Sequence, residues 1–184
     1  MSTRQREEAY QLARSKFTNK NLFKHVLAVE AVMRGLAEHF HEDVDKWGLA
    51  GLLHDLDYEE TKDDPDRHTL VTEQILKEYN LDPEIIEAIK CHNDKAPRTM
   101  RMGKAIYAAD PVTGLIVAAA LMHPDKKLKS LDVPFIMRRF KEKRFAAGAN
   151  RDQIKTCSDL GLSLDQFLEI ALKSMQKIDE ELGL

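Results

Sequence analysis

Leu22, Val26, Val29, Met33, Leu36 and Phe40 recur at alternating steps of four and three. Residues spaced this way meet on one side of the chain only when it coils into an α-helix, so the spacing predicts a long helix with one buried stripe. Alternation at a period of two, the signature of a half-buried strand, does not persist anywhere for more than a few residues. Sheet is thereby excluded as the main architecture. Thr18 and Asn19 stand where a cap is needed before this helix.

The same reading predicts a first helix over 4–17 and a third near 43–53, carrying Trp47, Ala50, Leu52 and Leu53. An acidic loop follows, punctuated by Asp63, Asp64, Pro65 and Asp66. A fourth helix is expected to start near His68 and to turn Val71, Ile75 and Tyr79 inward. Asp82 should cap a fifth, with Pro83 at its first position, where a missing N–H costs nothing. The segment 105–122 is apolar except for Asp110 and reads as a core helix, bent or restarted at Pro111. It lies at the lower length limit for a membrane span and is interrupted by Pro111 and Gly114, so no membrane association is expected. Residues 145–153 read as a loop, and helices near 152–158 and 164–182 follow. The expected fold is all-α, a single domain of about eight helices.

Composition narrows the function classes. With 184 residues, 43% apolar and 32% charged, the chain can bury a core, and disorder is excluded. A net charge of −3 argues against a general nucleic-acid binder. Cys91 and Cys157 are too far apart for a CxxC pair and too few for a disulfide scaffold, which suits a reducing compartment. The first seventeen residues are charged throughout and contain no apolar signal-peptide core. The expected location is cytoplasmic.

Four of the seven histidines occupy unusual places. His25 borders the stripe of the long helix, and His54 and Asp55 end the third. His68 shares a face with Val71 and Ile75, and His92 with Ile85 and Ile89. Asp110 is the lone charge of the most apolar segment. One histidine on an apolar face is ordinarily a hydrogen-bonded core residue. Several, together with a carboxylate that has no nearby Lys or Arg on its own helix face, point instead to a shared cation. Imidazole nitrogen and carboxylate oxygen are ligands that transition metals accept without thiolate.

His25, then His54-Asp55 about thirty residues later, then Asp110, resembles the H…HD…D signature of the HD superfamily of metal-dependent phosphohydrolases. His68 and His92 look like the extra pair of its HDIG-type branch. The resemblance covers residues 21–120 and implies an all-helical fold. It divides the chain into an N-terminal helix (1–20) packing on the core, a metal-binding core (21–122) and a C-terminal helical extension with a basic segment (123–184). It also implies that His25, His54, Asp55 and Asp110 hold one metal and that His68 and His92 hold a second, with Asp55 bridging. Fe, Mn, Co, Ni or Zn would suit such a set, one or two per chain. The branch often has Ile-Gly after His-Asp, whereas Leu56-Asp57 stands here, which places a carboxylate beside the metals.

The implied activity is hydrolysis of a phosphoester or phosphoanhydride of a small phosphorylated molecule, a nucleotide, by metal-activated water, with Asp55 at the reaction centre. Asp57 and Glu59 are candidate proton donors to the leaving alkoxide, the alternative being that they cap or solvate the loop. Thr113 is expected to orient Asp110 or to bond back to its own helix. Residues 126–144 are net +6, and Arg138, Lys141, Lys143 and Arg144 are the candidate phosphate or base contacts. Nucleic acid is not the expected partner, and self-association is left open. A metal-stabilised nucleotide-binding or regulatory module without turnover is the alternative, and a metal-dependent oxygenase on a similar ligand set is a third reading.

Overall fold

The computed structural model describes residues 3–184, which form α-helices joined by turns and short 3₁₀ segments, with no strand among the described residues. α1 (Thr3–Lys16) lays Ala9 and Ala13 on α3 (Val44–Leu53). α2 (Lys20–Phe40) starts where Asn19 accepts a hydrogen bond from the Asn21 N–H, and α3 starts at the Asp43 cap. The buried surface of α2 is wider than one stripe. Leu27, Ala28, Val32 and Ala37 are enclosed as well, because α3 covers one side and a C-terminal helix another.

The α2–α3 contact is close enough to require glycine. A Cβ at Gly51 would stand 2.8 Å from the Glu30 nitrogen and the Val29 oxygen, both backbone atoms. That approach carries the end of α3, and with it His54, against α2 and His25. The ring centroids of the two histidines are 5.2 Å apart.

The acidic loop contains a short helix, α4 (Tyr58–Thr61), that the sequence reading does not include. α5 (Leu70–Leu76) begins two residues after His68, and Thr69 before it adopts a left-handed conformation with φ 69°. The buried positions of α5 are Thr72 and Leu76, whereas Tyr79 is 43% exposed. The inward face is thus one residue on from the expected Val71, Ile75 and Tyr79, and His68 lies in the turn rather than on that face. α6 (Pro83–His92) follows the Asp82 cap and buries Ile85, Ile89 and His92 together.

α7 (Arg101–Met122) is the centre of the molecule and runs through Pro111 without restarting. By length and composition it could cross a membrane, but α2, α6 and the C-terminal helices pack around it. α8 (Val133–Lys141), α9 (Arg151–Lys155) and α10 (Leu164–Gln176) close the core, and α10 seats Ser174 against Gly35 of α2. The expected last helix breaks after Gln176 and resumes as α11 (Asp179–Leu182).

Candidate metal centre

Six side chains from separate places in the chain converge. Asp55, 7% exposed, lies in the middle, and its two oxygens face different partners. Oδ2 is 3.4 Å from His54 Nε2 and 3.7 Å from His25 Nε2. Oδ1 is 3.3 Å from both His68 Nε2 and His92 Nε2. Asp110 joins the first group, with Oδ1 3.1 Å from His25 Nε2 and 3.8 Å from His54 Nε2. His25, His54 and Asp110 form one set able to hold an ion, and His54, Asp55 and His92 another. Asp110 is only partly enclosed, with its side chain 28% exposed.

In each imidazole the outer nitrogen is tied to an acceptor. His54 Nδ1 donates to the Gly51 carbonyl at 2.8 Å and His92 Nδ1 to the Ile89 carbonyl at 2.6 Å. His68 Nδ1 donates to Asp57 Oδ1 at 2.8 Å. Thr113 spends its hydroxyl proton on the Asp110 carbonyl, so its oxygen is free to accept from His25 Nδ1 at 3.1 Å. A proton fixed on Nδ1 leaves a lone pair on Nε2, and all four Nε2 atoms point at the two carboxylates.

Such an arrangement calls for positive charge. His54 Nε2 is buried and has no hydrogen-bond partner, and His68 Nε2 and His92 Nε2 face each other at 3.1 Å. Two lone pairs at that distance need a proton or a cation between them. Burial works against the charged forms here, but the neighbours prevail. The neighbouring imidazoles of His54, His68 and His92 hold the Asp55 carboxyl well below the usual carboxylate range. The His25 and His54 imidazoles beside it depress Asp110 likewise. Burial also opposes the charge on His68, yet Asp55 and Asp57 push its pKa up to about 9. His25 is raised by Asp110 and Asp55 against the same opposition. The donor set therefore fits a divalent cation by its own chemistry.

Three expected roles are corrected. Asp57, 1% exposed, does not face a leaving group: Oδ1 accepts from His68, and Oδ2 accepts from the Thr72 N–H at 3.0 Å. It is a positioning residue behind the histidine. Glu59 is engaged elsewhere, accepting from the N–H groups of Thr18 and Asn19 and from the Thr18 hydroxyl, which lowers its pKa. It fastens the entrance to α2. Thr113 orients His25 rather than the Asp110 carboxylate.

The candidate substrate contacts are less gathered. Arg138, Lys141, Lys143 and Arg144 are all exposed, on α8 and on the following loop. The Arg138 guanidinium is 5.4 Å from the Phe135 ring centroid. A cavity of about 340 Å³ is bounded by His25, Asp110 and the loop residues Ala146, Gly148 and Ala149. Lys143 borders a neighbouring open cavity that shares Gly148 and Ala149, while Arg138, Lys141 and Arg144 line neither. The sequence reading did not anticipate what holds this loop. The Arg151 guanidinium donates to the carbonyls of Phe140, Phe145, Ala146 and Ala149, with no carboxylate among these partners. Gly51, Ile89 and Thr72 were missed too, since they act through backbone atoms.

A family model described as the HD domain matches residues 22–127. Curated relatives named Ribonuclease Y also match. The protein from Geotalea uraniireducens (strain Rf4) is 27% identical over 168 residues, which cover 89% of this chain and 32% of the relative. That from Nitratidesulfovibrio vulgaris (strain DP4) is 31% identical over 96 residues, 52% of this chain and 18% of the relative. That from Mycoplasma mycoides is 27% identical over 94 residues, 51% and 22% of the two chains. The chain thus spans a third or less of the length of these relatives.

Proposed function

The chain belongs to the HD domain family of metal-dependent phosphohydrolases, and on that premise we propose that it hydrolyses a phosphoester or phosphoanhydride bond of a nucleotide. The observation that carries this reading is the position of Asp55, with one oxygen toward His25 and His54 and the other toward His68 and His92. His25, His54, Asp110 and Asp55 Oδ2 would hold one divalent cation, and His68, His92 and Asp55 Oδ1 a second. The ion is drawn from Fe, Mn, Co, Ni and Zn, which share this ligand preference. When bound, the cations supply Lewis-acid activation of water and neutralise phosphoryl charge.

The protein's own contribution is preorganisation. Gly51, Ile89, Asp57 and Thr113 keep the Nδ1 protons in place, so no imidazole must change tautomer before the site is used. Asp110 and His25 are the ligand candidates open to the cavity beside the 142–150 loop, which gives a phosphate its approach. Lys143 flanks that approach and is the phosphate contact best supported by position.

RNA is the second reading. Relatives named Ribonuclease Y lean against the expected exclusion of nucleic acid, and the exposed strip from Arg138 to Arg144 suits a phosphodiester backbone. One experiment separates these readings from a binding module without turnover. Protein purified without added metal or chelator is analysed for metal, then mixed in excess with nucleotides and with short RNAs. Product release from a nucleotide is expected; release from RNA alone would transfer the function to the second reading. No product from any member of the panel with Mn, Fe, Co or Ni would overturn both. Asp55→Ala should lose metal and turnover together, and full metal content in that variant would refute the ligand assignment.

A further inference from the structure

A second, larger cavity of about 470 Å³ adjoins the metal centre between α2, α7 and the segment 182–184. It shares His25 and Gly114 with the cavity that reaches Asp110. Val117, Leu121, Leu182 and Leu184 make its wall largely aliphatic, and Leu121 is 53% exposed at its edge. Asn21 supplies a polar edge, since its side-chain amide makes no hydrogen bond within the protein.

Gly114 lies at the junction. Glycine inside a helix is destabilising relative to alanine, so its presence there needs a reason. For the other helical glycines the reason is packing: a Cβ at Gly35, Gly48, Gly51 or Gly103 would come within 3 Å of a neighbour. A Cβ at Gly114 would meet nothing within 4 Å and would project into open space. No packing constraint excludes a side chain at this position. Gly114 is exposed and borders both cavities, so a side chain there would project into the space where they meet.

We propose that this cavity is the subsite for the nucleoside part of the substrate, with Gly114 as the threshold residue and Val117, Leu121 and Asn21 as determinants of specificity. The inference rests on the nucleotide reading above and deepens it. A volume of this size is in the range of small-ligand pockets, and a largely aliphatic wall edged by the Asn21 amide and by Lys24, whose ammonium donates to the Leu182 carbonyl, matches the faces and edge of a base. The phosphate would then lie toward Asp110, on the other side of Gly114. The nucleoside could belong to a free nucleotide or to the end of an RNA chain.

The test begins with binding rather than turnover. Adenosine, guanosine, cytidine and uridine, which carry no phosphate, are titrated calorimetrically into wild-type protein, Gly114→Leu and Leu121→Glu. Wild type should bind at least one nucleoside at a single site, and both variants should weaken that binding at least tenfold while retaining wild-type metal content. The preference for a nucleoside monophosphate over glycerol phosphate, measured as a ratio of kcat/KM, should fall at least tenfold through KM. Comparing a mononucleotide with a six-residue RNA as competitors of the nucleoside identifies the source. Absence of nucleoside binding by wild type, or binding unchanged in both variants, would overturn the inference. Leu121→Glu changes an exposed side chain, so the outcome can be read if Gly114→Leu fails to fold. If no phosphoester is cleaved, the proposed activity falls, and nucleoside binding still decides the subsite.

Discussion

The proton on each Nδ1 determines what the opposite nitrogen can do, and for His68 that proton is held by Asp57. In Asp57→Asn the amide can satisfy His68 or the Thr72 N–H through its one oxygen, but its NH₂ cannot accept from the other. Metal affinity of the His68–His92 half should fall about 10–100-fold, the usual cost of losing such support. Calorimetric titration should show this as loss of the weaker of two binding events, the other being kept. His68 also sets a pH dependence for chelator-stripped protein. Its pKa is raised in the fold to about 9, so its stabilising contribution is complete below the unfolded value near 6.5 and is lost as the pH rises through about 9. Urea midpoints of the metal-free protein should decline across that window, and the decline should flatten in His68→Gln.

At the level of elements, α2 and α3 must touch backbone to backbone for His25 and His54 to meet. Gly51→Ala puts a methyl group 2.8 Å from two main-chain atoms, and a helix cannot give way as a side chain would. A loss of about 1–3 kcal/mol is expected, the usual range for overpacking, read from urea unfolding. The same variant should bind metal more weakly, because the displacement falls on the end of α3. Several elements were legible from local signals. Asn19 and Asp82 accept from the N–H groups of the helices they precede. The start of α5 was not legible, because Thr69 adopts a left-handed conformation that its residue type does not announce. Nor was the inward face of α5, since the covering helices lie far away in sequence.

For the molecule as a whole, the site joins parts of the chain that would otherwise be held by packing alone. His25 comes from α2, His54 and Asp55 from the end of α3, His68 from a turn, His92 from α6 and Asp110 from α7. A metal bound to this folded arrangement and not to the unfolded chain stabilises by mass action, about 2.7 kcal/mol at a hundredfold excess over Kd. For a chain of this size that corresponds to roughly 5–10 °C in Tm. Calorimetric scans with and without chelator should differ by that amount. An unchanged Tm in protein known to have lost its metal would show that the helices are assembled without the ion's help.

Residue type and spacing alone determined that the chain is helical, that four imidazoles and two carboxylates form a recognisable ordered set, and which family pattern they follow. Those properties are local or ordinal, and a sequence carries them directly. Only the tertiary structure decided that Asp57 supports His68, that Glu59 is tied to Thr18 and Asn19, that Thr113 serves His25, and that an open space lies beside Gly114. Each depends on how closely two distant segments approach and which way a side chain turns when they do. The packing of whole helices sets that approach, and none of these residues has a neighbour in the sequence that records it.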